Sequence, residues 1–167
     1  MEIKKISRLA MLLAISVVLN IVESFFPIFT GIVPGLKIGL ANIVTLLVLY
    51  VYGFKDAIII SILRVFLVGI LRTGLFSMSF FFSLGGAILS ILVMILAKKI
   101  TKLSIIGVSI IGSIFHTIGQ ILVAIIIYNV NMIYYIGWTL IFAIPTGILV
   151  GFLTKELKKT LDDSIKW

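Results

Sequence analysis

The sequence predicts an all-α integral membrane protein, a compact bundle of six transmembrane helices with both termini in the cytoplasm. Three observations lead there. Of 167 residues, 62% are hydrophobic and only 12% are charged, too little polar surface for a soluble domain of this size to present to water. The mean hydropathy is +1.34, and it comes from long uncharged runs of the kind that cross a bilayer. Finally, the basic residues cluster in alternate connections, the asymmetry expected of a multi-pass topology.

The breakers between apolar runs define the elements in order. Helix 1 covers about 9–25 and stops at Pro27; its basic start, Lys4-Lys5, is followed by no small-x-small cleavage pattern and belongs with the helix. A loop with Gly31, Pro34 and Gly35 leads to helix 2, about 38–52. The turn Gly53-Phe54-Lys55-Asp56 separates it from helix 3, about 57–71, which Arg72-Thr73-Gly74 breaks. Helix 4 covers about 80–97 and ends at Lys98-Lys99; helix 5 covers about 105–127, before Asn129 and Asn131. Helix 6 covers about 135–153, and the charged stretch 155–167 reads as a short amphipathic surface helix on the cytoplasmic side. Residues 1–167 form a single membrane domain in this scheme, with no linker long enough to separate another.

With the N-terminus inside, the inner segments carry eleven of the 14 Lys and Arg residues, the outer loops carry Lys37 and Arg72, and Arg64 lies within helix 3. That split orients the chain and requires an even number of spans. It also accounts for the net charge of +8 without a nucleic-acid partner. Cysteine is absent, so disulfides and thiolate chemistry are excluded. No Walker A sequence, paired-aspartate diphosphate site or Ser/His/Asp set is present, and a lone histidine makes no metal site. The chain reads as a non-enzyme with no cofactor.

Ionisable groups at membrane depth face protein or water and mark sites of function. Glu23 falls near the outer end of helix 1, and Arg64 lies about 12 Å into helix 3. Lys37 and Arg72 fall near the outer surface. Two readings fit this net positive set: a cavity for an anionic or polar ligand, or an Arg64–Glu23 ion pair knitting two helices while Lys37 and Arg72 reach to headgroups. Helix 5 carries Ser109, Ser113, His116, Thr117 and Gln120 on one face. His116 and Gln120, four apart, can reach one ligand or can bond neighbouring helices. Asn42 flanks the first outer loop. Tyr128, Tyr134, Tyr135 and Trp138 form either an interfacial aromatic belt or a stacking wall for a planar ring. Ala10-Met11-Leu12-Leu13-Ala14 is a small-xxx-small motif that lets another helix approach; Gly112/Gly119 and Gly147/Gly151 are further small pairs.

The stretch Pro34-Gly35-Leu36-Lys37-Ile38-Gly39-Leu40-Ala41-Asn42, continued by Ile43-Val44-Thr45-Leu46, resembles the signature of a bacterial membrane family. That family is named heptaprenyl diphosphate synthase component I, or the Gx transporter family. Arg64 and Arg72 fit its pattern, and the similarity extends from helix 1 to helix 6. One family name implies a non-catalytic membrane subunit of a prenyl diphosphate synthase. The other implies likeness to the substrate-binding (S) components of energy-coupling-factor (ECF) transporters, six-helix proteins of the bacterial plasma membrane. There, a motif like Ala10-xxx-Ala14 docks on a membrane coupling subunit driven by two ATPase subunits. The resemblance then implies capture of a vitamin-like or anionic molecule from outside, with membrane lipid around the chain. Lys37 and Arg72 would attract the ligand and Arg64 would bind its charge. Asn42, His116 and Gln120 would hydrogen-bond, and Tyr135 and Trp138 would stack. A flavin, a quinone or isoprenoid precursor, or another vitamin-like anion all fit.

Overall fold

Apolar runs with few breakers become helices because a helix satisfies its own backbone polar groups, which lipid cannot. The computed structural model describes residues 2–23, 25, 39–128 and 133–164, the side chains of 2, 133–136, 138 and 164 excepted. Among them the chain forms α1 (Glu2–Glu23), α2 (Asn42–Val51), α3 (Phe54–Val68), α4 (Met78–Ile100), α5 (Ile105–Tyr128) and α6 (Ile133–Ser164), with a π-helical turn, Gly69–Thr73, extending α3. No strand occurs among the described residues.

Local chemistry sets several ends. The Ser77 hydroxyl caps α4 by accepting from the Phe80 N–H at 3.2 Å, and the Ser104 hydroxyl accepts from Gly107 N–H at 3.2 Å at the start of α5. Lys98 and Lys99 occupy the last turn of α4, where cations complement the helix dipole. The expected break at Arg72-Thr73-Gly74 falls on its last residue: the π-helical turn carries the rod through Thr73, and Gly74 ends it at φ 82°. The expected separate tail helix is the continuation of α6, which runs unbroken for 32 residues with Pro145 inside it. Charge ends a membrane span there, but Lys, Glu and Leu are good helix formers and the backbone continues. Pro27, the loop 31–38, Asn129, Asn131 and residues 165–167 lie outside the described residues.

Among the described residues four stretches are long and apolar enough to cross a membrane: Ile3–Glu23, Met78–Ile100, Ile105–Tyr128 and Thr139–Asp163. Their outward sides expose large apolar groups, among them Val18, Leu92, Leu96, Ile126 and Ile141. A surface this apolar is stable against lipid and not against water. By contrast α2 is short, only 10 residues. Every residue from Asn42 to Leu49 is buried, as expected of a helix enclosed on all sides. Its Leu46, Val48 and Leu49 pack in one cluster with Ala57, Met94, Val108 and Val150. The other helices thus surround α2, and its first residue, Asn42, is fixed among them.

Small residues draw α4, α5 and α6 together. A Cβ on Gly119 would stand 2.5 Å from the Gly85 carbonyl oxygen, and one on Gly147 or Gly151 would stand 2.7 Å from the α5 backbone. These are backbone-to-backbone crossings that a side chain would hold apart. They carry His116 and Gln120 of α5 against Gly86 of α4.

Candidate functional site

Four helices bring polar groups to one buried place. Along α3 the residues Ala57, Ile60, Ser61, Arg64, Val65 and Val68 are buried, a single face at helical spacing. Arg64 is therefore aimed inward and only 2% exposed. Its Nη1 and Nη2 both donate to Asn42 Oδ1, at 3.2 and 3.3 Å. A buried guanidinium is costly unless bonded and balanced. Asn42 supplies the bonds, and Glu23 is the opposite charge acting on it.

Glu23, the last residue of α1, is 4% exposed. Its carboxylate accepts from the Gly39 N–H and from the Leu40 N–H at 3.1 Å. The backbone there presents a small anion-binding concavity, and Gly39 adopts φ +96°, open to glycine and strained for other residues. A Cβ at Gly39 would lie 3.0 Å from Asn42 Nδ2 and 3.6 Å from the His116 ring. Glycine at 39 thus lets the loop end press against both side chains. This role of Glu23 was not legible in the sequence, which offered Glu23 only as an ion-pair partner for Arg64.

The polar stripe of α5 is buried along its length, from Ser109 to Gln120. Its members divide between neighbours. Ser109 and Ser113 face the glycines of α6, while His116 and Gln120 face Gly86. Gln120 Nε2 lies 3.2 Å from His116 Nε2. The two side chains, one turn apart on α5, are therefore paired with each other.

Arg64 Nε, Asn42 Nδ2 and Gln120 Oε1 are buried with no hydrogen-bond partner among the described residues. Each unmet group costs about 1–3 kcal/mol in a dry interior. Two are donors, one of them the guanidinium's own Nε–H, and one is an acceptor. Chemically the set suits a guest with an anionic or carbonyl oxygen and a nearby N–H or O–H.

The remaining expected residues divide three ways. Arg72 turns toward α1: Nη1 donates to the Ile21 carbonyl at 3.4 Å and the guanidinium stands 4.7 Å over the Phe25 ring. Lys37 lies outside the described residues. Tyr135 and Trp138 belong to the first turns of α6, but their side chains lie outside the described set. Ala10 and Ala14 are both exposed on α1. Ala10 borders a groove of about 240 Å³ between α1 and α3, lined also by Ile6, Leu9, Leu13, Ile59 and Leu63. Among the described residues no three His, Cys, Asp or Glu residues group to hold a metal ion.

A family model described as heptaprenyl diphosphate synthase component I matches residues 12–157. No curated protein and no solved structure matches the chain.

Proposed function

The chain belongs to the heptaprenyl diphosphate synthase component I family, and we propose that it is the substrate-binding subunit of an ECF-type transporter. In this reading all six helices cross the bacterial plasma membrane as one domain, with both termini cytoplasmic. A small vitamin-like or anionic molecule enters from the outer face. Arg72, held on α1, and Lys37 attract it. Arg64 takes its charge, Asn42, His116 and Gln120 bond its polar groups, and Tyr135 and Trp138 stack on it. The exposed face of Ala10 and Ala14 seats a membrane coupling subunit, which two ATPase subunits drive.

The observation that carries this reading is the cluster of unpartnered buried donors and acceptor around Arg64. A helix-knitting ion pair needs no spare Nε, no spare amide and no loop clasped at its rim. The clasp of Glu23 on Gly39 and Leu40 also gives ligand entry a hinge, since it ties the end of the outer loop to α1. The open groove beside Ala10 supports a separate partner at the opposite end of α1.

The family's description favours a second reading, a non-catalytic membrane component working with the soluble part of a prenyl diphosphate synthase. Purification of the tagged protein from native membranes in mild detergent separates the two. The transporter reading expects two ATPases and a membrane coupling protein to co-purify, and to be lost on Ala10→Trp. That substitution, on an exposed face, should change folding stability by less than about 0.5 kcal/mol. Recovery of a prenyl synthase without ATPases would replace the first reading with the second.

A further inference from the structure

At the other end of the bundle, a cleft of about 270 Å³ opens between the α2–α3 turn and the last turns of α4. Leu49, Gly53, Phe54, Ile95, Lys98 and Lys99 line it. Its wall is apolar except for the two lysines. The 23 residues of α4 rise about 35 Å, slightly more than a hydrocarbon core. Lys98 and Lys99 therefore stand at headgroup level, with Ile95 about one turn deeper.

Lys98 is held in place. Its Nζ donates to the Leu49 carbonyl at 2.7 Å and sits 4.5 Å over the Tyr50 ring, which leaves two ammonium N–H groups to give elsewhere. The charge acting on it is a like one, from Lys158. Lys158 is in turn paired with Asp162 at 2.5 Å, and Asp56 with Lys5 at 2.8 Å, and no carboxylate lines the cleft among the described residues. The cleft thus combines two lysines at headgroup depth with an apolar floor, and on the same helix Leu92 and Leu96 are exposed.

We propose that this cleft binds one anionic phospholipid, its phosphate between Lys98 and Lys99 and an acyl chain along Phe54, Ile95 and the Leu96 flank. A soluble anion would use the lysines but gain nothing from the apolar wall; a zwitterionic lipid would use the wall but present its own cation to the lysines. The site is distinct from the Arg64 cluster and stands whether or not the transporter reading does.

Native mass spectrometry of the detergent-purified full chain, titrated with phosphatidylglycerol or phosphatidylcholine, tests this. Phosphatidylglycerol should bind more tightly, and the double variant Lys98→Gln/Lys99→Gln should weaken it about 30-fold, near the phosphatidylcholine level. Lys102→Gln should leave it unchanged. Because Lys98 also bonds the end of α2, Lys99→Gln alone serves as the variant that spares this contact, with about a fivefold loss expected. Equal retention of the two lipids, unaltered phosphatidylglycerol affinity in Lys99→Gln, or matching stabilisation by inorganic phosphate would each overturn the proposal.

Discussion

The seam between α4 and α5 and the groove between α1 and α3 are both marked in the sequence by small residues, yet they are opposite structures. In the seam, a Cβ on Gly85 would meet Val123 at 2.4 Å, and one on Gly119 would meet Gly85 at 2.5 Å. In the groove, Ala10 borders open space and Ala14 is exposed. Small residues permit close approach; they do not supply the partner. Where the chain supplies it, the seam becomes a rigid frame that fixes His116 and Gln120. Where it does not, the small face is left for another chain.

Methyl groups added along the two regions should sharpen the contrast. Gly119→Ala is expected to have the largest effect, because its Cβ meets backbone that cannot turn aside. Overpacking of about 3 kcal/mol corresponds to a melting midpoint lower by about 6–12 °C, read by thermal unfolding in detergent. Gly86→Ala should be milder for folding but damaging to the site. Its Cβ would stand 2.9 Å from Gln120 Cγ, the His116 ring and the His116 carbonyl oxygen, a less severe backbone approach than the 2.5 Å at Gly119, so ligand affinity should fall about tenfold while the melting midpoint changes less than in Gly119→Ala. Gly137→Ala should reverse the sign. A Cβ there would meet nothing within 4 Å among the described residues beyond its own stretch of α6, and the helix propensity of Ala should stabilise by about 0.5–1 kcal/mol. A Gly137→Ala variant as damaged as Gly119→Ala would mean that the seam is not special.

Much of the fold was legible because lipid simplifies the code. Apolar runs must be helices, so the all-α class followed from run length and breakers alone. Continuity was less legible. Lys155 marks where an apolar run stops, but helix formers carry α6 on to Ser164, and within Arg72-Thr73-Gly74 it is Gly74 that ends the helix, because a π-helical turn takes in the two residues before it.

The site was legible in its residue types and not in its pairing. Arg64, Asn42, His116 and Gln120 stand out as polar groups in apolar surroundings, and all four are buried. That Arg64 bonds Asn42, 22 residues away, depends on how α2 and α3 pack, which no local pattern encodes. Gly86 carried no chemical signal; its importance is the side chain it lacks.

The central claim is that the Arg64 cluster holds a guest. Mass spectrometry of small molecules retained by the protein purified from native membranes, compared between the natural chain and Arg64→Ala, tests it most directly. Loss of a charge-assisted bond of about 3 kcal/mol predicts a compound retained by the natural chain and depleted at least 100-fold from Arg64→Ala, while the variant still inserts and purifies intact. Equal retention of the same compound by an intact Arg64→Ala protein would contradict the account.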